Sequence, residues 1–194
     1  MSSLQCLLLL GTASLLQAAC PNVPVFAEFD PEKFSGVWYW TEWYDNGWIS
    51  QQIPNIMSCV TSNFTMTETG NFSVELKWDN LLTEQQWTAT GRLVQQATPN
   101  HFEASFPISF MIPNGQFYII DGVHRTWAVV YTCREILFGM SQIQTAWILH
   151  RNPNGRRQRN ALAKRWELKP GLKVFIDADK FRRFNDTEAC STLD

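Results

Sequence analysis

The chain has 194 residues, of which 45% are hydrophobic and 18% charged, and its formal net charge is −2. This length and composition fit one globular domain with a substantial core and exclude a disordered chain. The near-neutral charge argues against nucleic acid as a partner, because proteins that bind it normally present a basic face. Nine tryptophans and thirteen phenylalanines are more than a core of this size requires. They favour an aromatic-lined cavity, with a densely packed β-protein as the simpler interpretation.

Residues 1–19 have the features of a secretory signal peptide. The apolar run Leu7–Leu10 is followed by further leucines and ends in small residues, although the segment starts without Lys or Arg. It is too short to span a membrane, and no later stretch reaches transmembrane length. The alternative is a bacterial lipoprotein lipidated at Cys20, but Gln17 stands where such signals usually have Leu. We therefore expect a signal peptide over 1–19, a mature domain over 20–194, and secretion.

The mature chain retains four cysteines, an even number that is typical of disulfide pairing outside the cell. These are Cys20, Cys59, Cys133 and Cys190. Their wide spacing excludes the paired CxxC pattern of a zinc site, and three connectivities remain open on spacing alone. Three Asn-x-Ser/Thr triplets predict N-glycosylation of a secreted chain, at Asn63, Asn71 and Asn185.

The first predicted strand begins at the aromatic-rich stretch from residue 34 to residue 46. Gly36 permits a sharp turn, and Trp38 then supplies a large buried side chain at the foot of the strand. Before it, residues 29–33 form an irregular lead. The next segment, 47–57, is an apolar loop, which either covers a cavity or packs on the rim of the fold.

Alternation of apolar and polar residues with a period of two recurs along the middle of the chain, as expected for strands with one buried face. It covers residues 72–79, 87–93 and 102–109, and further strands are predicted over 116–121, 126–135 and 142–151. About eight short strands joined by hairpin-length turns predict an all-β fold, an eight-stranded antiparallel up-and-down barrel. Arg156–Glu167 then predicts one C-terminal α-helix packed on the barrel, with a solvated basic face, and Val174–Ile176 a last short strand.

Catalytic and metal-binding signatures are scarce. The three histidines have neither HxH nor HExxH spacing, and the chain has no GxSxG, P-loop or dinucleotide motif. We therefore expect no catalytic residue, metal site or cofactor. The interior of an eight-stranded barrel holds either side chains or one small ligand. Small residues opposite the aromatic ones, such as Ala89, Gly91 and Ala104, favour the ligand over the filled barrel.

The chain as a whole resembles the lipocalins, and within them the branch of apolipoprotein D and the insect bilin-binding proteins. The similar segments are the opening Cys20–Val23, the Gly36-x-Trp38 strand, the run Ala128–Cys133, and Ala146–Asn154 before the predicted helix. One departure stands out, because the family has Thr-Asp-Tyr in the turn before the seventh strand. This chain has Gly122-Val123-His124 there, which puts the family's hydrogen bonding at the closed end in question but not the fold.

The resemblance implies specific roles for several residues. Trp38 would lie at the closed end of the barrel with Arg151 across its indole, as a cation–π pair, and Trp147 would line the cup. The segment 47–57 would be the long loop that covers the open end. The disulfides would be Cys20–Cys133 and Cys59–Cys190.

By this resemblance, the protein is a secreted carrier that binds and transports a small hydrophobic ligand non-covalently. Candidate ligands are a lipid, a sterol, a retinoid or carotenoid, and a bilin; such a ligand would be the only bound group. Strand register predicts side chains facing the cup at Trp40, Val74, Leu76, Trp87, Phe106, Trp127, Tyr131 and Trp147, and at Glu42 if the register holds from Trp38.

Two other functions remain open. One is an enzyme acting on a lipid in the same barrel, as in the lipocalin-type prostaglandin synthase, which needs a free thiol in the cup. The other is an interaction module that binds a receptor, lipoprotein or membrane through the apolar loop or the basic helix.

Overall fold

The computed structural model describes residues 20–46, 55–67, 69–107, 112, 114–153, 180–184 and 190. Several predicted features lie outside the described residues. These are the signal peptide over 1–19, the apolar loop up to residue 54, the helix Arg156–Glu167, the strand Val174–Ile176 and the glycosylation site Asn185.

Eight antiparallel strands form a closed sheet. They are β1 (Gly36–Asp45), β2 (Met57–Met66), β3 (Phe72–Asn80), β4 (Gln85–Gln95), β5 (His101–Ser105), β6 (Gly115–Val123), β7 (Trp127–Ile136) and β8 (Ser141–His150). Each strand pairs with the next one along the chain, and β1 closes the sheet by pairing with both β2 and β8. The predicted all-β barrel is therefore confirmed, while its C-terminal helix falls in the part that is not described.

One strand was not predicted, because its sequence lacks a regular alternation. In β2, the pairing register with β3 shifts between Ser58 and Thr61, and Cys59 between them has a φ of 49°. This irregularity leaves four consecutive buried residues at the start of β2, so that a period of two appears only from Val60 onward. Met57, which we assigned to the apolar loop, is the first residue of this strand.

A one-turn helix, α1 (Pro31–Phe34), replaces the irregular lead that we expected before β1. Asp30 caps it, since its side chain accepts a hydrogen bond from the Lys33 backbone N–H at 3.1 Å, and Pro31 occupies the first helical position. The turn buries Phe34 against the closed end of the barrel.

The C-terminal segment adds a two-residue strand, β9 (Arg182–Arg183), to the sheet. β1 pairs with β2 only along its first four residues, and further along it pairs with β9 through Glu42 and Trp43. The described part of the chain contains no helix that is both long and apolar enough to cross a membrane.

Two layers of hydrophobic side chains line the two faces of the wall. The inner layer lines the interior of the barrel from Phe34 and Trp38 upward. The outer layer lies on β6, β7 and β8, where Val23 and Phe181 cover the wall. Two disulfides join the terminal segments to this wall, Cys20–Cys133 and Cys59–Cys190, which is the pairing that the resemblance implies.

Candidate ligand-binding site

The closed end of the barrel is organised around Arg151. Its guanidinium carbon lies 3.7 Å from the centroid of the Trp38 ring. Its nitrogens donate five hydrogen bonds to backbone carbonyl oxygens, those of Val37 (2.8 Å), Lys33 (2.9 Å), Phe34 (3.0 Å), Ser35 (2.8 Å) and His124 (3.2 Å). Burial lowers the pKa of the Arg151 guanidinium, although the group stays charged. This one side chain therefore ties α1, β1 and the turn before β7 together.

His124 holds the turn where the sequence departs from the family pattern. Its Nε2 atom accepts a hydrogen bond from the Asp30 backbone N–H at 3.0 Å, and its ring stacks on Phe26 at 5.9 Å between centroids. Burial lowers the pKa of His124, against the opposing charge of Asp30, so the neutral ring that can accept this bond is favoured. A different set of bonds thus closes this end of the barrel.

The aromatic wall of the cup is built from β1, β8 and the C-terminal segment. The ring centroids of Trp40 and Trp147 lie 5.1 Å apart, and Phe184 lies 6.2 Å from Trp40. The indole N–H of Trp40 donates to the Ser62 hydroxyl at 3.0 Å, which fixes the ring against β2. All four side chains are buried.

Glu42 does not face the cup. The pairing of β1 with β8 shifts register between Trp40 and Glu42, so the alternation that starts at Trp38 does not continue. Glu42 pairs with Ile148 of the outer layer, while Trp43 pairs with Trp147 of the inner layer. The bulge therefore turns Trp43 inward, a position that the alternation from Trp38 does not predict.

Trp127 and Tyr131 were also assigned to the wrong face. Both belong to the outer layer of β7, together with Val129 and Cys133, whereas Ala128 and Val130 belong to the inner layer. The sequence cannot separate these faces, because terminal segments cover the outside of β7 and seven consecutive residues of the strand are buried.

The other predicted residues lie on the inner face. Val74, Leu76 and Phe106 are buried in the inner layer. Trp87 lies on the same face of β4, opposite Trp78 of β3, with 6.1 Å between the ring centroids. Trp87 is 44% exposed, because it stands at the open end of the barrel.

A row of polar side chains crosses the inner wall below the open end. Asp45 of β1 pairs with Thr145 of β8, which in turn pairs with Thr132 of β7. The Thr145 hydroxyl donates to Asp45 Oδ2 at 2.8 Å. Among the described residues, the buried hydroxyl of Thr132 and the buried indole N–H of Trp43 have no hydrogen-bond partner.

Apolar side chains are exposed at the tips of two hairpins at the open end. Leu82 lies between β3 and β4 and is 74% exposed, and Phe138 lies between β7 and β8 and is fully exposed. Leu137 and Met140 beside Phe138 are each more than 60% exposed.

Within the described residues, no group of three or more His, Cys, Asp or Glu side chains could hold a metal ion. The four cysteines described there are all in disulfides, so none of them offers a thiol. Of the two predicted glycosylation sites among the described residues, Asn63 lies on the outer wall. Asn71 makes two side-chain hydrogen bonds, with Thr69 and with the Gln95 backbone.

The chain is similar to several known proteins. Apolipoprotein D of Bos taurus is 28% identical over 140 residues, which cover 69% of this chain and 67% of that protein, and apolipoprotein D of Rattus norvegicus is 29% identical over 140 residues with the same coverage. No protein-family model matches the chain.

Among solved structures, insecticyanin from the tobacco hornworm Manduca sexta has a TM-score of 0.62 at 18% identity, covering 89% of this chain and 88% of its own. Lobster apocrustacyanin A1 has a TM-score of 0.57 at 18% identity, covering 78% and 77%. These matches support the barrel fold, and with the sequence relatives they confirm the resemblance predicted from the sequence.

Proposed function

We propose that this chain, whose sequence and barrel resemble those of the apolipoprotein D-like lipocalins, carries a small hydrophobic molecule outside the cell. The observation that carries the proposal is the aromatic wall inside the barrel, where Trp40 and Trp147 lie 5.1 Å apart. The ligand classes remain those expected from the sequence: a lipid, a sterol, a retinoid or carotenoid, or a bilin.

The physical basis of binding would be apolar burial against this wall. Removing apolar surface from water is worth roughly 25 cal/mol per Å², so a ligand that buries about 300 Å² would gain roughly 7 kcal/mol before the cost of association. The indole rings would add selectivity for flat or conjugated molecules through stacking. Val74 and Leu76 of β3, and Phe106 directly after β5, would extend the apolar surface.

Several observations support secretion of a mature domain over 20–194. The segment 1–19 has the composition of a signal peptide. The two disulfides suit an oxidising compartment. We extend the proposal to glycosylation at Asn63, Asn71 and Asn185, and to a helix over residues 156–167 that packs on the barrel.

The test is a titration of the purified mature protein with retinol, arachidonate and biliverdin, followed by tryptophan fluorescence. We expect quenching by at least one ligand, and we expect Trp147→Ala to weaken its binding about tenfold or more. Trp127→Ala is the matched control, since Trp127 is a buried tryptophan of the outer layer, and it should leave the Kd within about twofold. Absence of quenching by every ligand class, or equal effects of both substitutions, would contradict the proposal.

The enzyme alternative has less support. The prostaglandin synthase version requires a free thiol in the cup, and all four cysteines in the described residues are paired. A thiol titration of the folded mature protein tests this version directly. Detection of one free thiol per chain would restore it.

The exposed hairpin tips support a second candidate function, contact with a lipid surface such as a membrane or lipoprotein. Leu82 and Phe138 stand at the same end of the barrel, and soluble proteins seldom expose such residues in groups. The double variant Leu82→Ser/Phe138→Ser should reduce sedimentation with phosphatidylcholine vesicles and leave ligand quenching unchanged. Val94→Ser is a control for loss of an exposed apolar side chain on the outer wall. An unchanged vesicle-bound fraction in the double variant would reject this function.

A further inference from the structure

The inner wall of the barrel contains a row of polar side chains in an otherwise apolar surface. Asp45, Thr145 and Thr132 are direct register partners on three adjacent strands. Thr132 alternates with Val130 and Ala128 of the inner layer, so it faces the interior. The exposed fraction of each residue falls along the row. Asp45 is half-buried, Thr145 is 4% exposed, and Thr132 is not exposed at all.

The hydrogen bonding of this row is incomplete. The Thr145 hydroxyl gives its proton to Asp45 Oδ2 at 2.8 Å, so its oxygen can still accept a bond. The Thr132 hydroxyl is fully buried and has no partner among the described residues. The indole N–H of Trp43, which precedes Asp45 on the inner face of β1, is buried and without a partner there as well.

Buried polar groups are nearly always hydrogen-bonded, because leaving one unpaired costs free energy. Two such groups near one polar row in a barrel interior therefore point to a partner outside the described residues, such as a bound ligand. The row offers donors at Thr132 and Trp43 and acceptors at Thr145 and Thr132. A ligand group that both donates and accepts would satisfy both kinds.

The Asp45 carboxylate limits the charge of that ligand group. A ligand carboxylate in this row would meet the like charge of Asp45, and because Asp45 is half-buried the repulsion is stronger than between groups fully in water. A hydroxyl carries no charge, and it can donate one hydrogen bond while accepting another.

We propose that the row Asp45–Thr145–Thr132 binds the hydroxyl of an apolar alcohol, such as a sterol or a retinol, in preference to a carboxylic acid of the same skeleton. This inference rests on the proposed carrier function and specifies the polar end of its ligand. The hydrocarbon part of the ligand would lie along the aromatic wall at Trp40 and Trp147.

The test compares ligand pairs that differ only in the polar group: retinol with retinoic acid, and oleyl alcohol with oleate. Affinities are measured by tryptophan quenching at pH 7.5. We expect the wild type to bind each alcohol at least about tenfold more tightly than its acid. Equal affinities, or tighter binding of the acids, would overturn the inference and leave the carrier function intact. Failure of all four ligands to bind would instead contradict the carrier function, and the inference with it.

Three variants identify the residues responsible. Thr132→Val is isosteric and should weaken alcohol binding about five- to tenfold while changing acid binding less than twofold. Asp45→Asn removes the charge at a half-buried position while keeping an oxygen that can accept the Thr145 bond, and it should strengthen acid binding by a similar factor. Thr88→Val, an exposed threonine of β4, is the control and should change neither. If Thr132→Val does not fold, the Asp45→Asn variant tests the inference by itself. A ratio of alcohol affinity to acid affinity equal to that of the wild type would then overturn the inference.

Discussion

Arg151→Met is expected to lower the stability of the protein without changing the affinity for the proposed ligand. The guanidinium donates five hydrogen bonds to backbone carbonyls and lies 3.7 Å above the Trp38 ring. A net value of about 1 kcal/mol for each bond and about 1 kcal/mol for the cation–π contact gives an upper limit of about 6 kcal/mol. Because water reaches some of these carbonyls after the substitution, we expect a loss of about 3–5 kcal/mol in the free energy of unfolding.

The assay is urea unfolding of the disulfide-intact protein, followed by tryptophan fluorescence. Thermal unfolding provides a second measurement. Since 1 kcal/mol of stability corresponds to about 2–4 °C for a chain of this size, the melting temperature should fall by about 10 °C. Arg125→Met is the matched control, because Arg125 lies exposed in the same end of the barrel, and it should change stability by less than about 0.5 kcal/mol. A loss below 1 kcal/mol for Arg151→Met would refute the view that this side chain holds the closed end together.

Three further predictions concern the interior and the closed end. Ser62→Ala leaves the buried indole N–H of Trp40 without its acceptor, so urea unfolding should show a loss of about 1–3 kcal/mol. Gly91→Ala places a methyl group into the space of the Phe106 ring and should cost about 1–3 kcal/mol by the same measurement; an unchanged midpoint would mean that the ring moves freely. Burial lowers the pKa of His124 below the ordinary histidine value of about 6.5, so the unfolded chain takes up this proton first and stability should fall as the pH drops below about 6.5. His124→Gln should make that decline shallower in unfolding curves recorded between pH 7.5 and 5, and a slope equal to that of the wild type would contradict this assignment.

The sequence predicts the barrel well, because most strands have one face in the core and the other in water. In β3, for example, apolar residues are buried and the polar residues between them are partly exposed. The inner positions Val74 and Leu76 follow directly from this alternation. Trp40 follows in the same way, because the register is regular from Trp38 up to that residue.

The errors arise where that simple pattern breaks. The bulge after Trp40 reverses the faces of β1, and no residue in the sequence marks it. On β7, both faces are buried, since Val23 and Phe181 cover the outside, and the inner face cannot be identified from hydrophobicity. The polar row was missed for a related reason, as Thr132 and Thr145 resemble ordinary strand residues until register places them side by side.

The pairing of β9 with β1 affects how the protein is made. β1 is synthesised long before β9, yet the edge of its upper half is completed by Arg182–Arg183, and Cys59 of β2 likewise pairs with the later Cys190. Before residues 181–184 have been synthesised, the upper half of β1 has no strand beside it on the side that faces β2, and Trp43 lacks its neighbour Phe184. Completion of this wall therefore depends on the C-terminal segment, and a chain that lacks it would expose an unpaired strand edge on β1.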